Sequence, residues 1–199
     1  MSATLFALRT IEAEEEILKT YVDPTLPFSK RRQFLHMNHH FVCSCPSCCL
    51  SAANPEHELQ SNANSARLQA WFSTHIKYAK WARDLCRSDD AVIVSHLEAL
   101  ALTEEEGLQG YQNLFVEELA KCYAILGDLD NFRLWAEKVV QLAQVEDVAL
   151  RKEYLGYLEK PTRMKAWAWR AKQRAQVKSR PDPMIDLEPL SLYFEVVVD

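Results

Sequence analysis

Phe41-Val42-Cys43-Ser44-Cys45-Pro46-Ser47-Cys48 is the stretch on which the reading of this chain turns. Three thiols within six residues, in the pattern C-x-C-x-x-C, are spaced to wrap one tetrahedral metal ion. A thiolate is a soft anion, and loops this short can bring sulfurs to ~2.3 Å from zinc. Cys43, Cys45 and Cys48 are therefore the expected metal ligands, with zinc as the expected metal. The plainer alternative is a set of structural thiols without metal. A thioredoxin-type redox pair would sit at the strand-to-helix junction of a βαβ unit, and nothing nearby reads as one. Three ligands leave a fourth position, for which Cys49, His36, His39, His40 and His57 are the candidates within the chain.

Working outward, residues 28 to 42 read as a short helix that delivers the chain to the cysteines, with Ser29 as N-cap ahead of Arg31, Arg32, Phe34 and Leu35. Residues 1 to 24 read as strand, turn and strand. Leu5-Phe6-Ala7-Leu8 and the run from Ile17 to Val22 flank the acidic turn Glu12 to Glu16. Downstream, residues 51 to 64 have the small, polar composition of a linker, Ala-Asn-Pro-Glu and then Ser-Asn-Ala-Asn. Beyond it, apolar residues recur at helical spacing: Leu68, Trp71, Phe72, His75, Tyr78, Ala79 and Ala82, then Val92 to Leu102, Leu114 to Leu126 and Phe132 to Leu142. Residues 147 to 178 continue as helix with a break at Pro161, and the acidic tail finishes in the extended-looking run Tyr193 to Val198.

The expected class is α+β but predominantly helical: a small β and zinc-loop unit over residues 1–50, a linker over 51–64, antiparallel helical hairpins over 65–180 and an acidic tail over 181–199. With 199 residues and 48% hydrophobic content the chain can fill a core. A net charge of −5 argues against coating nucleic acid, which needs a basic face to displace counterions from phosphates. No stretch approaches the ~20 apolar residues that span a bilayer, and the first nine residues lack a leader pattern. An intracellular protein, in nucleus or cytoplasm, is expected, where crowded cysteines serve metals more often than disulfides.

A family resemblance rests on five pieces in order. Phe6-Ala7-Leu8-Arg9-Thr10-Ile11, Glu14-Glu15-Glu16-Ile17, Tyr21-Val22-Asp23, Lys30-Arg31-Arg32-Gln33 through Leu35, and Phe41 with its cysteines together resemble the end of a SET domain and its post-SET zinc loop, in the style of fungal and MYND-bearing SET lysine methyltransferases. The resemblance covers about residues 5 to 48. It implies methyl transfer from S-adenosylmethionine to a protein lysine, histone or other. Tyr21 would then stand at the lysine channel, Phe41 near the methyl donor, and Cys43, Cys45 and Cys48 on zinc. The family's donor-binding Gly-x-Gly and Asn-His-Ser-Cys segments are not found in this sequence, and the cysteine of the latter normally supplies the fourth zinc ligand. The chain is thus expected to be a truncated member that binds no S-adenosylmethionine by itself. The competing reading is a non-catalytic, zinc-stapled helical module for binding a protein or peptide. Position 14 carries Glu where the family has Gly, a cost if that turn needs positive φ.

Two further features lie downstream. Leu119-Ala120, Tyr123, Gly127-Asp128 and Trp135-Ala136 resemble the helix, tight turn and helix of a tetratricopeptide repeat. The run from Lys160 to Arg180 is basic, without an acid, and includes Trp167 and Trp169. It reads as a solvated helix face, with Met164, Trp167, Ala168, Ala171 and Ala175 as its buried side, in preference to a nucleic-acid contact.

Overall fold

The computed structural model describes residues 11–14, 20–143 and 147–179, without the side chains of Lys178 and Ser179. Its helices are α1 Phe28–His39, α2 Pro46–Ala53, α3 Pro55–Thr74, α4 Tyr78–Arg83, α5 Ala91–Glu105, α6 Gln112–Leu126, α7 Leu129–Leu142, α8 Val148–Glu159 and α9 Trp169–Ser179. Short 3-10 turns occupy Gln109–Tyr111 and Pro161–Arg163. Among the described residues there is no strand, so the expected α+β class is corrected to helical. Thr20, Tyr21 and Val22, read above as strand, form a bend into the Pro24 turn. The other strand positions, Leu5 to Leu8 and Ile17 to Lys19, and the extended tail 193–198 lie outside the described residues. No described helix is long and apolar enough to cross a membrane.

The chain divides into two compact units, one formed by the residues up to His75 with Glu98–Gln112, the other by Ile76–Leu97 and the residues from Asn113 onward. In the first, a turn closed by the Asp23 carbonyl on the Leu26 amide leads into α1, and the Asp23 carboxylate accepts from the Thr25 amide and hydroxyl at 2.9 and 2.8 Å. Pro27, not Ser29, is the N-cap, and it has no side chain to serve the orphaned amides. That service comes from α3, where Asn62 Oδ1 accepts from the Phe28 amide at 2.9 Å. A local sequence rule gave way to a tertiary contact. Arg31 is buried because its guanidinium closes the preceding turn, donating to the Pro24 and Leu26 carbonyls.

Residues 51 to 64 are helical, split between α2 and α3. Asn54 caps α3 by accepting from the Glu56 and His57 amides, and Pro55 sits at its first position, where it costs no hydrogen bond. The small polar residues that resemble a linker make a polar seam: Ser61 Oγ donates to Glu106 at 2.6 Å, and Asn64 Nδ2 donates to Glu105 at 3.1 Å and Glu106 at 2.8 Å. Buried polar groups persist only when so paired, and an apolar-periodicity reading is blind to them. Glu14 does take positive φ, 67°, the left-handed conformation that disfavours a side chain by about 1–2 kcal/mol.

The second unit packs around Trp81, Phe115, Leu119, Ile125, Phe132 and Tyr154, all nearly inaccessible. Helix α6 stops at Leu126, Gly127 takes φ 73°, and Asp128 caps α7 by accepting from the Asn131 amide at 3.1 Å, which is the turn the sequence placed there. The basic run is different from its expectation. Pro161 ends α8, and residues 164–168 are turns in which Ala168, at φ 55°, donates its amide to the Ala124 carbonyl at 2.8 Å. Helix α9 therefore starts at Trp169, and Ala171 and Ala175 face solvent. Trp167 is half-buried edge-on to Phe132, ring centroids 5.3 Å apart. Arg170 is wholly buried and Arg174 is paired with Asp89, which removes two cations from any outward basic face.

Candidate metal centre

Helix α1 ends where His40 turns left-handed, φ 57°, with its amide on the His36 carbonyl at 3.2 Å. Residues 41 to 44 are irregular, and α2 begins with Cys45 as N-cap and Pro46 at its first position. Pro46 stops any continuation of α1 and fixes Cys45 in extended backbone, so the sulfur of residue 45 and that of Cys48, three residues on, come to one side. Cys43, Cys45 and Cys48 have their Sγ atoms all within 4.8 Å of one another. Tetrahedral zinc with ~2.3 Å bonds sets its sulfurs about 3.8 Å apart, so the trio needs to contract by about 1 Å at most. The donor set fits zinc, as soft anionic ligands on short loops do.

Electrostatics divides the thiols. Burial pushes Cys48 up to about 12, reinforced by the neighbouring sulfurs of Cys45 and Cys43. Burial also raises Cys45, but the first-turn amides of Cys48 and Ser47 and the Cys43 and Cys48 thiols outweigh it and hold Cys45 below the usual thiol value. Without a cation the cluster resists carrying several negative charges at once. A divalent metal removes that penalty.

The two aromatic residues singled out from sequence meet beside the cysteines. Tyr21 and Phe41 pack edge to face with centroids 5.9 Å apart, and His39 lies 5.3 Å from Tyr21 and 6.4 Å from Phe41. All three are exposed, Tyr21 at 49% and Phe41 at 37%. Phe34 extends the group through His39, at 5.9 Å. The role of His39 as a ring partner was not legible from sequence, where it stood as one of several possible ligands. His57, another of these, bonds instead with Ser51, Nδ1 to Oγ at 3.1 Å. Cys49 is exposed and donates its thiol to the Ser44 carbonyl at 3.2 Å. A cavity of about 250 Å³ lies against the cluster, lined by Cys43, Cys48 and Cys49 together with Phe28, Arg32 and Val42.

Part of the chain is similar to a histone methyltransferase. Over 63 residues it is 35% identical to the Histone-lysine N-methyltransferase SET5 of Meyerozyma guilliermondii, a match to 32% of this chain and 13% of that protein. The chain thus corresponds to a small share of that relative's length. No family model matches, and no solved structure does. The similarity supports, loosely and over about a third of the chain, the relation to SET methyltransferases read from the sequence.

Proposed function

We propose that residues up to Cys48 form the zinc-closed end of a SET-type protein lysine methyltransferase site, with Cys43, Cys45 and Cys48 on the metal. The contact of the Tyr21 and Phe41 rings, two residues from Cys43, carries the reading. Zinc at the three sulfurs would pin the loop after α1 and so hold Phe41 against Tyr21 at the mouth of the site. The substrate in this reading is a lysine side chain of another protein. An ammonium has no lone pair to attack with, so the amine must be neutral, and an aromatic surround that desolvates it favours the neutral form. Tyr21 would orient that amine through its hydroxyl, and Phe41 would exclude water beside it. S-adenosylmethionine, when bound, supplies an electrophilic methyl on sulfonium sulfur. Its binding needs residues outside those discussed, and the 199-residue chain alone is expected to show no measurable affinity for it.

The test uses the protein isolated from the cells that make it, with whatever it is joined to there. Transfer of labelled methyl from S-adenosylmethionine to protein lysines is expected, reduced at least ~10-fold by Tyr21→Phe, which removes the orienting hydroxyl and keeps the ring. Absence of transfer, or transfer indifferent to Tyr21→Phe, refutes the reading.

A further inference from the structure

Two of the three clustered cysteines form a second motif inside the first. Cys45-Pro46-Ser47-Cys48 is a C-x-x-C sequence whose first cysteine is the N-cap of α2 and whose second is that helix's third residue. We propose that Cys45 and Cys48 are a thiol–disulfide couple, closed by a hydroperoxide and reopened by a dithiol, which competes with zinc for the same sulfurs. The inference concerns the site of the zinc reading, but its disulfide forms without the metal. The Cys45 and Cys48 Sγ atoms already lie within 4.8 Å of each other. Cβ atoms three residues apart on a helix stand ~5–6 Å apart, so closing a bridge takes side-chain rotation and a shift of roughly 1 Å in the first turn. Cys49 lies outside the trio, its thiol turned to the Ser44 carbonyl at 3.2 Å.

Exposure divides the two roles. Cys45 is half-buried and so open to a small oxidant, and it stands at a helix N-terminus, a setting that makes cysteines reactive. Cys48 is 6% exposed, shielded from solvent but within reach of Cys45. The Cys45 thiolate attacks the peroxide O–O bond, forming an S–O bond and expelling hydroxide or alkoxide, which leaves a sulfenic acid. The Cys48 thiol then attacks that sulfur, forms the S–S bond and releases water. The two sulfurs give up the two electrons that the peroxide takes. A dithiol reverses the step by exchange through a mixed disulfide, becoming oxidised itself. The closed couple withdraws two of the three donors of the metal cluster. Cys43 alone cannot hold zinc, so the disulfide form loses the pin that keeps Phe41 against Tyr21.

The full 199-residue chain, reduced and metal-free, is treated with an equimolar amount of hydrogen peroxide, and its thiols are counted after denaturation and mapped by differential alkylation and mass spectrometry. The six thiols are expected to fall by two, with Cys45 and Cys48 joined, the chain lighter by two hydrogens, and dithiothreitol restoring both. Cys49→Ser and Cys86→Ser, which remove exposed thiols, should close the same bridge. Cys48→Ser should stop at the Cys45 sulfenic acid, captured by dimedone. The linkage itself is read in wild type and does not depend on how Cys48→Ser folds. The zinc-loaded chain should release its metal to a chelating dye in step with thiol loss. Intact thiols, or a bridge joining any other pair, overturns the couple and leaves the zinc reading standing. A chain that takes up no zinc overturns that reading instead, while the metal-free result still decides the couple.

Discussion

Replacing Arg170 by Ala should cost the second unit about 4 kcal/mol. The side chain is fully buried, and its Nε donates to Asp89 at 2.7 Å. Its terminal nitrogens donate to the carbonyls of Trp81 at 2.6 Å, Asp84 at 2.9 Å and Arg87, while the guanidinium lies 4.5 Å from the Trp81 ring centroid. Removing one partner of a buried, hydrogen-bonded charge pair costs ~3–5 kcal/mol, largely because the groups left behind lose their partners. Asp89 moderates the loss, being 43% exposed and keeping Arg174 at 2.8 Å. The orphaned carbonyls and the void push the other way. Against a total stability of ~5–15 kcal/mol, such a loss moves a urea midpoint by roughly 2 M for a slope near 2 kcal/mol/M. Urea unfolding followed by tryptophan fluorescence reads it. Arg170→Lys should recover about half, because one ammonium cannot serve the forked set of acceptors. Asp89→Asn should cost only about 1 kcal/mol. A loss below about 1 kcal/mol for Arg170→Ala would refute the reasoning.

Other outcomes follow from the same coordinates. A Cβ on Gly127 would stand 2.9 Å from Ala168 Cβ at a position of φ 73°, so Gly127→Ala should destabilise by about 2 kcal/mol in urea. Ala168, itself at φ 55°, should gain about 0.5–1 kcal/mol on change to Gly by the same assay. Burial pushes the Tyr78 and Tyr154 phenols well above 10.0 and the Cys122 thiol well above 9.0. The folded state thus holds protons that the unfolded chain gives up, and stability is full below about pH 9 and falls as pH rises beyond it, by up to ~1.4 kcal/mol per pH unit for each group. Urea midpoints equal at pH 8 and pH 10.5 would contradict those burials.

The convergence of Cys43, Cys45 and Cys48 was legible because their spacing is local: the three thiols need only a short loop and Pro46 to come within 4.8 Å of one another. The Gly127 turn was legible for the same reason. Three features were not. Asn62 capping α1 is a contact across 34 residues, invisible beside the nearer Ser29. The polar stretch from 55 to 64 is a helix because Glu105 and Glu106, far along the chain, satisfy its Ser61 and Asn64. Arg170 reads as a surface cation until α4 and the turn after it supply the carbonyls that bury it. The strand reading of residues 20–22 failed where β-branched and aromatic residues follow a propensity that the prolines at 24 and 27 override with a turn.

The zinc centre is the claim on which the rest depends, and mass spectrometry under native conditions tests it most directly. The chain, reduced and reconstituted with zinc, is predicted to carry one zinc ion per molecule, and the variant with Cys43, Cys45 and Cys48 all changed to Ser to carry none. A metal-free wild type, or a triple variant that keeps its zinc, would contradict the account.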